Sequence, residues 1–149
     1  MKPLALLAAC SLLAIPVLAE ETKLPPEARK ALQQTARFHA ITKVADLPAG
    51  VRALVDEDPK NIANPGEDWQ VTDVVDPGKP LPGKHLAWAA TDGDYTIVHY
   101  ETGGIAHLFH TLVAKGGQKG GKAEEVWKNM GLRSTDLPSF LEALAKVKR

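Results

Sequence analysis

The chain has 149 residues, 44% of them apolar, with 18 basic side chains, 18 acidic side chains and one cysteine. A formal charge of zero gives no bulk electrostatic field that would attract nucleic acid, so no nucleic-acid partner is expected. One cysteine excludes a small scaffold that depends on internal disulfides.

Residues 1–19 differ in composition from the rest of the chain, because 15 of these 19 residues are apolar. Lys2 precedes the apolar stretch, which is short and rich in alanine for a membrane span and ends in small residues. This pattern is typical of a signal peptide and predicts cleavage before Glu20. We therefore expect a periplasmic or secreted bacterial protein with one domain over residues 20–149 and no membrane span in the mature chain.

Cys10 leaves a second route of export open. Residues 7–10 (Leu-Ala-Ala-Cys) have the form of a lipoprotein cleavage site, which would leave Cys10 acylated and tethered to a membrane. The run that follows Cys10 is apolar, whereas a tether is expected to be solvated. Soluble export is therefore the preferred prediction.

Two helices are predicted at the start of the mature chain. Residues 26–41 place Pro26 at a first helical position and repeat apolar side chains at helical spacing. Residues 46–57 begin with Asp46, which is a capping residue type, and also repeat apolar side chains at helical spacing. Residues 58–68 are rich in proline and polar side chains and predict a loop.

The middle of the chain changes to the pattern of β-strands. Four strands are predicted, at residues 69–75, 85–91, 94–101 and 105–114. Asp92-Gly93 and Gly103-Gly104 are typical hairpin turns between the last three. Residues 122–130 and 136–148 predict two final helices. The expected fold is α+β, an antiparallel meander of three to four strands packed on one face by N- and C-terminal helices.

Pairing across the two hairpins predicts that aromatic and histidine side chains share one face of the sheet. A two-residue turn at 92–93 pairs Trp88 with Ile97. A three-residue turn in the next hairpin places His99 opposite His107. The candidate binding face consists of Trp88, Tyr95, His99, His107 and Phe109. The opposite face carries small and branched side chains, so we assign the helices to that face and leave the aromatic face free for recognition.

The mature sequence offers few nucleophiles, since its serines are Ser134 and Ser139 and no cysteine follows Cys10. Neither serine lies in a Gly-x-Ser-x-Gly motif, which argues against serine and cysteine nucleophile mechanisms. Residues 116–122 have the spacing of a phosphate-binding loop. Ala123, however, occupies the position of the Mg²⁺-binding hydroxyl, so no cofactor is predicted.

A metal site is not predicted, and His99 and His107 are only weak candidates for one. Zinc would require a third ligand. Of the nearest candidates in the sequence, His85 and Tyr100 are predicted to lie on the opposite face, which leaves Glu101 at the end of the hairpin.

These exclusions predict a non-enzymatic exported protein that binds another protein of the cell envelope, as an inhibitor, immunity factor or accessory factor does. Aromatic and histidine side chains on one face supply a surface of the required kind. One alternative is a small metal-dependent or acid–base hydrolase that uses His99, His107 and Glu101. Another is a carrier whose sheet and helices enclose a small apolar molecule.

Overall fold

The computed structural model describes residues 23–147, so the predicted signal peptide and Cys10 lie outside the described residues. Within residues 23–147 the chain forms three α-helices and a six-stranded, mainly antiparallel sheet, which confirms the α+β class. The helices are Pro26–Leu32 (α1), Ala49–Val55 (α2) and Leu137–Lys146 (α3). The strands are His39–Ile41 (β1), Ile62–Ala63 (β2), Lys84–Thr91 (β3), Tyr95–Thr102 (β4), Leu108–Gly116 (β5) and Ala123–Met130 (β6). None of the helices described in this range has the length and apolar character needed to cross a membrane.

The sheet has the strand order β1-β3-β4-β5-β6, and the predicted meander of β3, β4 and β5 forms its centre. β1 adds an antiparallel edge to β3, and the two residues of β2 pair with β3 in the parallel direction. The expectation of three to four strands is therefore wrong, because β1 and β2 are too short to show an alternating pattern and β6 was expected to be a helix.

The connection between β3 and β4 is two residues longer than predicted, so Trp88 lies opposite His99 rather than Ile97. Asp92 widens this turn, because its Oδ1 accepts a hydrogen bond from the backbone N–H of Tyr95 at 2.7 Å. An aspartate that binds downstream backbone in this way favours a longer turn over the two-residue type.

The connection between β4 and β5 spans residues 103–107, and His99 lies opposite Thr111 rather than His107. The predicted pairing of His99 with His107 is therefore wrong. From Trp88 to Lys115, both hairpins differ from the expected register by an even number of residues. Side chains in a strand alternate between faces, so the predicted division into two faces is retained in this stretch. Before Trp88 a β-bulge shifts the register by one residue, so residues 84–86 do not follow the predicted division.

Residues 122–130, predicted as a helix from their apolar spacing, form β6. Val113 pairs with Trp127 and Ala114 with Glu125, so Val126 is the extra residue of a β-bulge. The bulge accommodates consecutive apolar residues in a strand. Their spacing therefore resembles that of a helix, although the chain is extended.

Two further predicted elements differ from the structure. The helix expected over residues 26–41 ends at Leu32, and residues 39–41 form β1. Of the described residues 33–38, only Phe38 is partly buried, so this stretch has no apolar face that a longer helix would bury. Residues 69–75 form no strand in the described structure and make one isolated bridge, between Thr72 and Gly104. The helices predicted at 46–57 and 136–148 are confirmed as α2 and α3.

Apolar side chains are buried on both faces of the sheet. On one face α2 packs over a layer that includes Leu86, Val98 and Leu112. On the other face α1 and α3 pack over Ile97 and Val113. The prediction that helices leave the aromatic face free is therefore wrong, because the N- and C-terminal helices lie on that face and α2 lies on the opposite one. The two layers together enclose the central strands, which is why β4 is buried along most of its length.

Candidate functional site

The five residues of the predicted binding face differ strongly in accessibility. Tyr95 is 8% exposed and His99 is 1% exposed, so both are buried. Trp88 and Phe109 are partly buried, and His107 is exposed. Because a macromolecular partner contacts only accessible atoms, the last three residues are the ones placed to take part in a surface.

His99 is held inside the molecule by polar and aromatic neighbours. Its Nδ1 lies 2.9 Å from Thr111 Oγ1, and its ring stacks on Trp88 and Phe109 at centroid distances of 5.9 and 6.2 Å. Burial lowers the pKa of His99 because the charged ring loses its hydration, although the negative charge of Glu101 opposes this effect. His99 is therefore a neutral packing residue near neutral pH.

Three titratable side chains converge near the β4–β5 connection. Glu101 Oε2 lies 2.7 Å from His107 Nε2 and 3.9 Å from His85 Nδ1. His85 was expected on the opposite face, but a β-bulge at Ala87 reverses its side and makes it the direct cross-strand partner of Glu101. Nothing in the local sequence identifies that bulge, so sequence reasoning did not bring His85 to this site.

Trp69 covers this group of side chains. Its ring stacks on His85 with a centroid distance of 5.5 Å and meets the ring of His107 edge-on at 5.4 Å. Phe109 stacks on His107 at 4.7 Å, and the guanidinium of Arg133 lies 4.3 Å above the Phe109 ring. We call Trp69, His85, Glu101, His107 and Phe109 the Trp69 cluster. Instead of forming a strand, the segment around Trp69 attaches an irregular loop to the end of the sheet.

The loop that follows this tryptophan is fixed against the β4–β5 connection. The backbone N–H of Gly104 donates to the carbonyl of Val71 at 3.1 Å. The side-chain amide of Gln70 donates to the carbonyl of Val74 at 2.8 Å. A Cβ atom added to Gly103 would lie 2.1 Å from the carbonyl oxygen of Gln70, so this close approach of two loops requires glycine.

Large apolar side chains are exposed at the same end of the sheet. Seven such residues are exposed in the part of the chain that the structure describes, and six of them lie in the 71–75 loop, in the β4–β5 connection or at the adjoining strand ends. We call these six the hairpin-end surface: Val71, Val74, Val75, Ile105, Leu108 and Met130. Ile105 is 97% exposed and Val74 is 79% exposed. Clusters of exposed apolar side chains mark interaction sites more often than scattered ones do.

Negative charge borders the hairpin-end surface. Residues 67–76 contain four carboxylates and no lysine or arginine. The four are Glu67, Asp68, Asp73 and Asp76. Asp68 pairs with Lys79 at 3.1 Å, and both side chains are well exposed. Lys79 offsets one of the four charges, so the surface combines apolar side chains with a border that keeps an excess of negative charge.

The hydrolase constellation proposed from the sequence is only partly assembled. Glu101 and His107 are in contact, whereas the Nδ1 of His99 is turned to Thr111 and its ring is separated from His107 by Phe109. Among residues 23–147, no three histidine, cysteine, aspartate or glutamate side chains are grouped so that they could hold a metal ion.

Comparisons of the chain with models of protein families, with curated proteins and with solved structures found no match.

Proposed function

We propose that this chain is an exported binding protein that engages another protein of the cell envelope through the hairpin-end surface, as an inhibitor, immunity or accessory factor. The observation that carries the proposal is the concentration of six of the seven exposed large apolar residues of the described chain at one end of the sheet. Soluble proteins rarely leave such a group in water unless a partner covers it.

The chemistry of the surface defines the partner. The apolar side chains supply most of the affinity when a partner removes them from water. The carboxylates of residues 67–76 favour a partner whose own apolar patch is bordered by lysine or arginine. Because these carboxylates lie at an exposed border, they act mainly on the association rate, and salt weakens their effect.

The Trp69 cluster supports the proposal because it orients the loop before a partner arrives. A loop that is already fixed by ring stacking and backbone hydrogen bonds loses less conformational freedom on binding than a mobile loop. His107 and Phe109, which belong to the face predicted from the sequence, act here by holding Trp69 and the connection in place.

The binding test compares matched substitutions on and off the surface. The chain is used to isolate partners from an envelope extract, and the purified partner is then titrated by calorimetry against the wild type and a Val74→Asp/Ile105→Asp double variant. Both side chains are exposed, so the fold is not expected to change. Val147→Asp is the control, because Val147 is also exposed but lies at the end of α3.

We expect the double variant to lose at least about tenfold in affinity and the Val147→Asp control to bind like the wild type. Raising the salt concentration should slow association of the wild type with its partner. A partner that binds the double variant as tightly as the wild type would refute a role for the hairpin-end surface.

Export is part of the proposal and has its own test. Leu24, the fifth residue after the predicted cleavage site, is buried in the layer formed with α1 and α3. Cleavage before Glu20 would therefore leave every described residue in place. N-terminal sequencing of protein recovered from the periplasm should begin at Glu20, and an acylated Cys10 or an intact Met1 would contradict this site.

A further inference from the structure

A groove of about 560 Å³ lies where β1, β3 and the start of α3 meet. This volume falls inside the range of roughly 300–1,000 Å³ that is usual for small-molecule sites. Its lining shares no residue with the hairpin-end surface.

Small side chains on the floor create the space. Ala40 of β1 pairs with Ala90 of β3, and Ala87 at the β3 bulge also lines the groove. Ala90 belongs to the layer that α1 and α3 cover. The lining on this side of the sheet comes from residues 35–38 after α1 and from the first turn of α3, so the groove lies beside the alanines at the edge of this layer.

The walls are apolar and fixed before any ligand binds. The Nε1–H of Trp88 donates to the carbonyl oxygen of Ser134 at 3.0 Å, which satisfies the one polar group of this side chain. The Trp88 ring therefore presents a purely apolar wall. Phe38 and Leu137 also line the groove, and Leu137 is itself buried at the start of α3.

The polar groups of the lining restrict the charge of a ligand. No lysine, arginine or histidine lines the groove among the described residues, and its one charged side chain is Asp136. The Asp136 carboxylate already accepts the backbone N–H of Ser139 at 2.8 Å as the cap of α3. An anionic ligand would therefore meet a carboxylate and no cation. The remaining polar side chains are threonine hydroxyls, which hydrogen-bond to uncharged groups.

We propose that this groove is a binding site for an uncharged, mostly apolar small molecule that carries a hydroxyl or carbonyl group within reach of the threonines. The site is additional to the protein-binding function and does not depend on it. The ligand buries its apolar body against Trp88, Phe38 and the alanine floor.

The test uses two dyes that share a naphthylamine scaffold. N-phenyl-1-naphthylamine is uncharged, and 8-anilinonaphthalene-1-sulfonate adds a negative charge. Each is titrated into the full chain by fluorescence. We expect saturable one-site binding of the uncharged dye and binding of the sulfonate that is at least about tenfold weaker. Equal or tighter binding of the sulfonate, or no saturable binding of the uncharged dye, would overturn the proposal.

Substitutions locate the binding in the groove. Ala40 is exposed to the groove, so Ala40→Leu fills the space without adding volume to a packed interior. It should weaken binding of the uncharged dye at least about tenfold. Ala53→Leu makes the same change on the exposed side of α2, outside the groove, and should leave binding unchanged. Circular dichroism checks that both variants fold, and unchanged dye binding by folded Ala40→Leu would refute the site.

Other occupants give different results. Dye binding that appears only after residues 1–19 are removed would mean that this segment fills the groove, and loss of binding at high protein concentration would mean that a second copy does. Either result would overturn the small-molecule proposal. The Val74→Asp/Ile105→Asp variant should bind the dye normally, so failure of the protein-binding proposal can be recognised separately.

Discussion

His99 and His110 couple the stability of the fold to pH. Burial lowers the pKa of both rings, and the charges of Lys128 and Lys84 lower the pKa of His110 further. Below the ordinary value of 6.5, the unfolded chain binds protons at these positions that the folded chain does not bind. The free energy of unfolding therefore falls as the pH drops below this value, until the lowered pKa values of the folded state are reached. Above the ordinary value, both states are neutral at these rings and the contribution is constant.

The substitution His99→Gln should reduce this pH dependence. Glutamine retains a group that can bond to Thr111 but cannot titrate. The slope of unfolding free energy against pH should become shallower by up to about 1.4 kcal/mol per pH unit. The measurement is urea unfolding at about pH 7, 6 and 5. His39→Gln is the control because His39 is exposed, and an unaltered slope in His99→Gln would contradict the assignment.

For the candidate-site residues of β4 and β5, the sequence predicted which side chains share a face but did not predict their partners. His99 and Phe109 do lie on one side of the sheet, because alternation along a strand depends only on residue parity. Their neighbours depend on the lengths of the two hairpin turns. In the first hairpin, the side chain of Asp92 binds downstream backbone and lengthens the turn. In the second hairpin, the longer turn is in contact with the 70–72 loop. The position of His85 depends on a bulge, a tertiary feature without a local signature.

Among the helices and strands, the sequence predicted those in which buried apolar side chains recur at one regular spacing along the whole element. α3 has a clear apolar stripe and a start signal at Asp136, and both are present in the structure. β6 contains a bulge, so its apolar residues do not alternate and their spacing predicts a helix instead of a strand. The helix expected over 26–41 was too long because spacing alone does not reveal where burial stops.

A capping box formed by Asp136 and Ser139 begins α3. Asp136 accepts the backbone N–H of Ser139, and Ser139 Oγ accepts the backbone N–H of Asp136. Asp136→Ala should lower the free energy of unfolding by about 1 kcal/mol, as measured by urea unfolding near neutral pH. Asp136→Asn keeps a capping oxygen and should cost less. Equal losses in the two variants would indicate that the cap is not responsible.

The same cap responds to acid. Hydrogen bonding from the backbone and side chain of Ser139 lowers the pKa of Asp136. The contribution of the carboxylate is therefore complete above its ordinary value of 3.8 and is lost as the pH falls through the lowered folded-state value.

Gly103 allows a prediction about the loop and the hairpin. A Cβ at this position would overlap the carbonyl of Gln70, so Gly103→Ala should push the 70–75 loop away from the β4–β5 connection. The backbone hydrogen bond of Gly104 to Val71 should then break, and the Gly104 amide should exchange at least about tenfold faster in hydrogen-exchange NMR. Amides in the centre of β4 should keep their protection. Unchanged exchange at Gly104 would contradict the packing of these two segments.

At the scale of the whole molecule, one sheet supports both proposed sites. Trp88 forms a wall of the groove, and Phe109 belongs to the Trp69 cluster. Between them lies buried His99, whose ring stacks on both. Trp88, His99 and Phe109 of the predicted aromatic face therefore form a continuous row of stacked rings, whose centre is buried and whose two ends are partly accessible. Composition and alternation identified the row, whereas the helices that bury its centre could be located only in the folded chain.

The two apolar layers share the central strands, so they should unfold together. Leu112 lies in the layer under α2, and Trp127 lies in the layer under α1 and α3. Leu112→Ala should remove about 2–5 kcal/mol of stability by leaving a cavity, although no tryptophan belongs to its layer. If the layers are cooperative, the urea midpoints measured by tryptophan fluorescence and by far-ultraviolet circular dichroism should shift equally.

Phe140→Ala, which opens a cavity in the other layer, should behave in the same way with a loss of about 3–5 kcal/mol. A fluorescence midpoint that stays at the wild-type value in Leu112→Ala while the dichroism midpoint falls would show that each layer unfolds independently.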